Sequence, residues 1–347
     1  MRLRSLAANL LCRVRRPAPQ ARSDQGYGRM KTPKRILLID FGQLGDAVMA
    51  LPAARALRAR FPRAQLTVLA ALGPDAIFRL AGFETLPVDR VRWKRRRWVV
   101  LYAVPALLLR LRLGRFDLSV DLHSYKETNW LAFLARIPNR VAMLRPTRSI
   151  PSLINRPPPP DDPYGRLVDR YCQVLQPLGI QVSPLDRIPA LTPPPGPGPL
   201  NPGPSILGIC PGAGHPSRCW PPDRFAEVAR AWLARGTRVV VFAGPEEDAT
   251  ILDPLIAIPG IEVARDLSIP ELTAALAACR VVLTNPTGPS HIAAAVGARV
   301  LTLGEIPAFD PVPVRPHGAV VALRASGSID SITVPEVLAI LERLWDA

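Results

Sequence analysis

The chain has 347 residues, 48% hydrophobic and 21% charged, near globular averages of about 45–50% and 25%; a collagenous or wholly disordered polypeptide is excluded, and the length allows about two domains. Its net charge of +16 and its 41 prolines are unusual. The charge is local: residues 1–35 hold ten Lys and Arg against Asp24 alone, residues 90–115 hold nine and no acid, and the rest is close to neutral. Two such patches suit an anionic surface, because clustered like charges attract a polyanion at long range.

The five cysteines are scattered without a CxxC pair, which argues against a disulfide framework or a zinc site and for reduced thiols in the cytoplasm. Residues 1–33 form a basic leader. Their apolar run ending at Cys12 is broken by Asn9 and followed by more Arg, so it reads as a disordered or interfacial segment rather than a cleaved signal. No stretch reaches the ~18–20 uninterrupted apolar residues that a spanning helix needs.

Ordered structure is expected from Lys34. Residues 35–40 read as a buried strand, the turn Phe41-Gly-Gln-Leu-Gly-Asp46 follows, and residues 47–61 carry helical spacing at Val48, Leu51, Ala54 and Leu57. Residues 66–70 are a second strand, the pair being largely continuous in hydrophobicity as parallel strands covered on both faces are, and residues 118–122 are a further buried strand. Residues 98–113 between them are strongly apolar and flanked by arginines; they read either as a membrane contact or as a buried helix with a basic end. Residues 157–160 form a proline-rich surface loop, and the Pro/Gly tract 193–204 is the expected linker between domains 34–192 and 205–347. Beyond it a second alternation begins: strands at 206–210, 238–243, near 262, at 281–285 and 299–303, and helices at 222–235, 269–278 and 290–296. Two βαβ arrays joined by a linker imply two facing α/β halves, with ligands beyond the C-terminal strand ends.

Three loops of the second half have the chemistry for a nucleotide. In Asn285-Pro-Thr-Gly-Pro-Ser-His291 a helix N-terminus would offer amides and a positive dipole end to a diphosphate, with Gly288 permitting close approach and Thr287 adding a hydroxyl. The loop 211–220 supplies Gly212, Gly214 and the cation Arg218. The loop 244–248 places Glu246 and Glu247 where a carboxylate can accept ribose hydroxyls. In the first half Asp46 either caps its helix or serves as a general base. The Gly42-x-x-Gly45 spacing is not GxGxxG, which counts against a dinucleotide oxidoreductase, and the basic patches accompany no module that reads nucleic acid.

At these residues the chain resembles the family 9 glycosyltransferases, bacterial heptosyltransferases of the lipopolysaccharide inner core. The similarity lies in Arg35-Ile-Leu-Leu-Ile-Asp-Phe-Gly-Gln-Leu-Gly-Asp46 with its continuation to Ala54, in Asp117-Leu-Ser-Val-Asp-Leu122, in Pro211-Gly-Ala through Trp220-Pro221, and in Thr287-Gly-Pro-Ser-His291-Ile-Ala-Ala-Ala. The resemblance implies an α/β GT-B fold, two Rossmann-like parallel-sheet domains facing a central cleft, with the acceptor on the first domain and the nucleotide-sugar on the second. It implies inverting transfer with no metal or other cofactor. Asp46 then matches the base, with Gly42 and Gly45 in the acceptor-side loop. Gly212, Ala213, Gly214 and Arg218 match the first donor loop, Arg218 standing where the family usually has Lys. Glu247, or less well Glu246, matches the ribose-binding acid, Leu267 the residue packed on adenine, and Thr287, Gly288, Pro289 and His291 the diphosphate loop. In one departure Pro286 replaces the acid of the family's Asn-Asp-Ser/Thr-Gly-Pro.

The expectation is a cytoplasmic glycosyltransferase, peripheral at the inner face of the membrane, with a nucleotide-sugar donor, a lipid-linked glycan acceptor and no nucleic-acid partner. The donor would be ADP-heptose and the acceptor a lipopolysaccharide core. Residues 90–115 are the candidate contact with an anionic membrane surface. The alternative is a family member that binds nucleotide-sugar or lipid without transfer, a reading that rests on Pro286.

Overall fold

A strand with four consecutive apolar residues needs cover on both faces, and β1 (Arg35–Asp40), with Ile36 to Ile39 at its centre, shows how the chain provides it. Ile36 and Leu38 point into one buried cluster with Val48, Leu51 and Ala54, while Leu37 and Ile39 point into another with Leu111 and Ala132. The structure, a computed structural model, describes residues 30–196, 198–200, 205–215, 218–244, 247–305, 319–325 and 327–347. Most of the leader, part of the linker tract and Glu246 therefore lie outside the described residues.

After β1 come α1 (Leu44–Arg60), β2 (Gln65–Ala71), α2 (Asp75–Leu80), β3 (Glu84–Val88), α3 (Arg90–Arg95), α4 (Val100–Leu113), β4 (Leu118–Asp121), α5 (Lys126–Leu134), β5 (Asn139–Ala142) and α6 (Leu167–Gln173). The second half runs β6 (Ile206–Cys210), α7 (Pro222–Leu233), β7 (Arg238–Ala243), α8 (Ala249–Ile256), β8 (Glu262–Arg265), α9 (Ile269–Ala277), β9 (Cys279–Thr284), α10 (Gly288–Val296), β10 (Arg299–Glu305), β11 (Val320–Ala325) and α11 (Val334–Asp346).

The strands form two parallel sheets in the orders β3-β2-β1-β4-β5 and β11-β10-β9-β6-β7-β8, which is the expected α/β architecture. The order reverses between β1 and β4 in the first sheet and between β6 and β9 in the second. A crevice opens at such a reversal because the connections on its two sides depart in opposite directions. The strands the sequence reading passed over, β3, β5 and β11, are all edge strands. An edge strand has one open side and a weaker apolar signal, and Pro87 within β3 hides it further.

The halves share their interior. Helix α1 packs on α10 and α2 on α9, and one buried cluster joins Ile36, Leu51 and Val68 of the first half to Ile206, Leu276 and Ile292 of the second. The chain that crosses between them is pinned: Arg55 donates to the carbonyl of Ala190 at 2.5 Å, and the Leu191 amide to that of Ala295 at 2.9 Å. The outer face of the second sheet is closed by α7 and α11, with Phe225, Trp232 and Leu341 buried against Leu207 and Ile209. Of the two readings of residues 98–113, the buried helix is corrected: in α4 only Leu111 is buried.

Candidate active site

At the first crevice the turn after β1 meets the turn after β4. Gly42 is required there by contact, since a Cβ on it would stand 2.3 Å from the Cβ of Asp46 and 2.6 Å from the His123 ring. Asp46 occupies the third position of α1 and accepts from the Gln43 amide at 2.8 Å, completing a capping box. The cap and the candidate base are thus one group: Oδ2 is anchored, and a third of the side chain remains open to solvent.

His123 joins this carboxylate to a second one. Its Nδ1 lies 3.0 Å from Asp40 Oδ1 and its Nε2 3.7 Å from Asp46 Oδ2, while the Tyr171 hydroxyl, carried by α6, is 3.2 Å from Nε2. The ring is placed by Asp121, which accepts from the amides of Ser124 at 2.7 Å and His123 at 3.1 Å and from the Thr128 hydroxyl at 2.5 Å. These bonds hold Ser124 at φ 50°, in the left-handed region. Burial alone would lower the His123 pKa, but the charges and hydrogen bonds of Asp40 and Asp46 raise it to about 9, so the ring is cationic at neutral pH. Burial opposes ionisation of Asp46, yet bonding from His123 and Gln43 prevails and holds its pKa below the ordinary carboxylate value.

The second domain reaches the same point through His291. A Cβ on Gly45 would stand 2.7 Å from its ring, and one on Gly288 would stand 2.9 Å from the Cβ of Leu44, so the two glycine turns interlock across the cleft. Burial pushes the His291 pKa down to about 4, with the Asp46 charge acting against it. The ring is therefore neutral, and its buried Nδ1 meets no partner among the described residues.

Behind this contact lies a cavity of about 450 Å³, within the usual ligand range of about 300–1,000 Å³. One end is apolar, walled by Phe242, Ala264, Leu267, Ile269 and Leu272. The other is lined by Gly212, Ala213, Gly244, Glu247, Thr287 and Pro289, and Leu44 enters from the first domain. A Cβ on Gly212 would fall 1.3 Å from Glu247 Oε1, so the glycine makes room for that carboxylate, whose Oε2 accepts from the Gly244 amide at 2.8 Å. Burial raises the Glu247 pKa against that bond and the nearby Arg265. At α10 the N-cap Thr287 is extended and its side chain takes none of the helix's amides, which leaves the dipole end open to an anion.

Of the donor residues expected from the sequence, Gly212, Ala213, Glu247, Leu267, Thr287 and Pro289 line this cavity. Gly288 and His291 sit at its junction with Asp46. Gly214 and Arg218 are exposed on the loop beyond and are not part of the wall. The reading missed His123, Asp40 and Tyr171. The second motif, Asp117 to Leu122, ends one residue short of His123, although a polar residue after a strand beside the sheet's reversal is the signal that finds it. It also gave Asn285 no role: fully buried, Asn285 accepts from the Trp220 amide at 3.1 Å and donates to the Pro211 carbonyl at 2.5 Å, tying two donor loops together. Pro286 turns away and packs on Gly304. Among the described residues no group of three or more His, Cys, Asp or Glu is arranged to hold a metal ion.

A family model described as Glycosyltransferase family 9 (heptosyltransferase) matches residues 104–305. The chain is 25% identical over 316 residues to lipopolysaccharide heptosyltransferase 2 of Salmonella typhimurium, covering 82% of this chain and 86% of that protein. It superimposes on the E. coli ADP-heptose lipopolysaccharide heptosyltransferase II with a TM-score of 0.75 at 23% identity, over 90% of this chain and 98% of the other. An E. coli heptosyltransferase solved with ADP gives 0.73 at 18% identity, over 89% and 99% of the two chains.

Proposed function

The chain belongs to glycosyltransferase family 9 and is a glycosyltransferase, and from that premise we propose that it moves a heptose from ADP-heptose to a lipopolysaccharide core or similar lipid-linked glycan, with inversion and without a metal. The observation that carries this reading is the continuity of the site: a cavity lined by apolar side chains and by the Glu247 carboxylate reaches Thr287 at the N-terminus of α10, and α10 abuts the turn that bears Asp46. The dimensions suit adenosine at the Leu267 end, ribose hydroxyls on Glu247 and the diphosphate at Thr287 and Gly288.

In the reaction the acceptor hydroxyl gives its proton to the Asp46 carboxylate as its oxygen bonds to the anomeric carbon. The bond from that carbon to the phosphate oxygen breaks, and the electron pair leaves on the nucleoside diphosphate, whose charge is stabilised by the Gly288 amide and the positive end of the α10 dipole. Attack opposite to departure inverts the anomeric centre. His123, fixed by Asp40, keeps Asp46 ionised and aimed. Arg218, exposed on the loop beyond the cavity wall, is a cation that a phosphate could recruit only by movement of that loop.

The non-catalytic alternative rests on Pro286, whose ring lies beside Gly304 and does not line the cavity, so it does not obstruct donor binding there. Calorimetric titration with ADP, UDP and GDP, each with and without magnesium, tests the reading. Preferential, magnesium-independent binding of ADP is the expected result. Because a hydrogen bond to a charged group contributes roughly 1.5–3 kcal/mol, Glu247→Gln is expected to weaken ADP about tenfold to a hundredfold. Absence of binding by all three nucleotides would make the non-catalytic reading the better one.

A further inference from the structure

Helix α4 is apolar on nearly every side, yet it lies on the surface. Leu107, Leu108 and Leu111 turn inward onto the cluster around Leu37 and Leu86, while Leu101, Tyr102, Leu109 and Leu113 turn outward, with Leu101 80% and Leu113 70% exposed. Trp98, in the turn before the helix, continues the outward stripe. Arg112 donates to the carbonyl of Leu134 at 2.9 Å and so brings the end of α5 alongside, where Trp130, Phe133 and Leu134 are also exposed. Among the described residues, nine of thirteen exposed large apolar side chains fall between Val91 and Leu134. Single exposed leucines need no explanation, but a patch of this size marks an interaction site.

We propose that α4, its preceding turn and the end of α5 form the face by which this protein docks on an anionic lipid surface. The apolar stripe is framed by exposed Arg92, Lys94, Arg96, Arg110 and Arg115, within a segment of nine basic residues and no acid. A second copy of the chain would set that charge against itself, whereas acidic headgroups complement it. Trp and Tyr beside leucines and arginines are the composition of a helix lying at the headgroup boundary. At 14 residues α4 is shorter than the ~20 needed to span, and no described helix is long and apolar enough to cross a membrane. The face also adjoins the acceptor side of the cleft: Arg90 donates to the Phe41 carbonyl at 2.7 Å, in the turn that leads to Asp46. A lipid-anchored acceptor would thus reach the carboxylate from the surface to which the enzyme is bound. The inference deepens the transferase reading by naming where the acceptor is met, but its test does not require turnover.

Sedimentation of the full chain with vesicles of phosphatidylethanolamine and phosphatidylglycerol, against pure phosphatidylcholine, measures the docking at about 0.15 M salt. Residues 1–35 also carry a charge of +9, so variants of the face decide the question. The triple variants Leu101→Glu/Leu109→Glu/Leu113→Glu and Arg92→Glu/Lys94→Glu/Arg96→Glu are each expected to lower the partition onto acidic vesicles at least about tenfold. Their affinity for ADP should stay at the wild-type value, and a failure of ADP binding in the wild type would count against the transferase reading alone. The proposal is overturned by unchanged partition in both variants. It is equally overturned by vesicle-free self-association that the leucine variant abolishes, since the occupant would then be a second copy.

Discussion

Asp46→Asn is expected to reduce kcat by about 10²–10⁴-fold, the usual contribution of a positioned general base, while changing the ADP dissociation constant by less than about twofold, within the scatter of a group that touches no nucleotide. The carboxamide oxygen can still accept from the Gln43 amide, so the N-terminus of α1 should keep its cap. His123 retains Asp40 at 3.0 Å, so the local charge pair also survives. The variant therefore separates proton removal from fold and from donor binding. Single-turnover transfer with ADP-heptose, alongside calorimetry with ADP, reads both quantities, and wild-type turnover would remove Asp46 from the mechanism. In the wild-type enzyme Asp46 is ionised throughout the neutral range and His291, with its pKa near 4, is neutral there. The profile of kcat/KM should accordingly be flat around pH 6–7, although two imidazoles flank the base.

The second large effect is on stability. His123→Ala leaves Asp40, 1% exposed and with a buried Oδ2 that has no hydrogen-bond partner among the described residues, without its cationic neighbour. Removal of one member of a buried ion pair costs about 3–5 kcal/mol, because the remaining charge is neither solvated nor paired. The pH dependence has a definite sign. The folded-state pKa of His123 is raised from 6.5 to about 9, so its stabilisation is fully present below pH 6.5 and is lost as pH rises through 9. Urea unfolding at pH 6 and pH 9.5 should show wild-type stability falling between them, and His123→Ala should lack that His123-linked part of the fall. Equal pH slopes for the two proteins would show that His123 does not hold the charge assigned to it. Activity should fall in the variant as well, since Asp46 loses the group that keeps it ionised and aimed.

The central parts of both sheets were legible in the sequence for a simple reason. Strands β1, β4, β6, β7 and β9 are covered on both faces and are therefore rich in apolar residues on both, so their pattern announces them. The edges β3, β5 and β11 carry no such obligation and were passed over. The candidate donor loops were legible because backbone approach to a phosphate favours glycine at a helix start, which pointed to Gly288, while Thr287 offered a hydroxyl and Gly212 a tight turn. Glycine spacing did not reveal why these positions are glycine. Gly212 yields to the Glu247 carboxylate, Gly45 to the His291 ring and Gly288 to Leu44, and two of these three neighbours come from the other half of the molecule.

Local chemistry thus determined by itself the two parallel α/β halves and the family resemblance, and through that resemblance it singled out Asp46 and the three loops as candidates. All of these depend on residues near one another in the chain. Tertiary structure alone decided that Asp40, His123 and Tyr171, from three separate elements, converge on Asp46, because the pairing of β1 with β4 and the packing of α6 on α1 bring them together. It likewise decided that α4 turns leucines to solvent. An apolar helix fits a core or a lipid surface equally well in a sequence window, and only the packing of the sheet beneath it determines which of its sides finds cover.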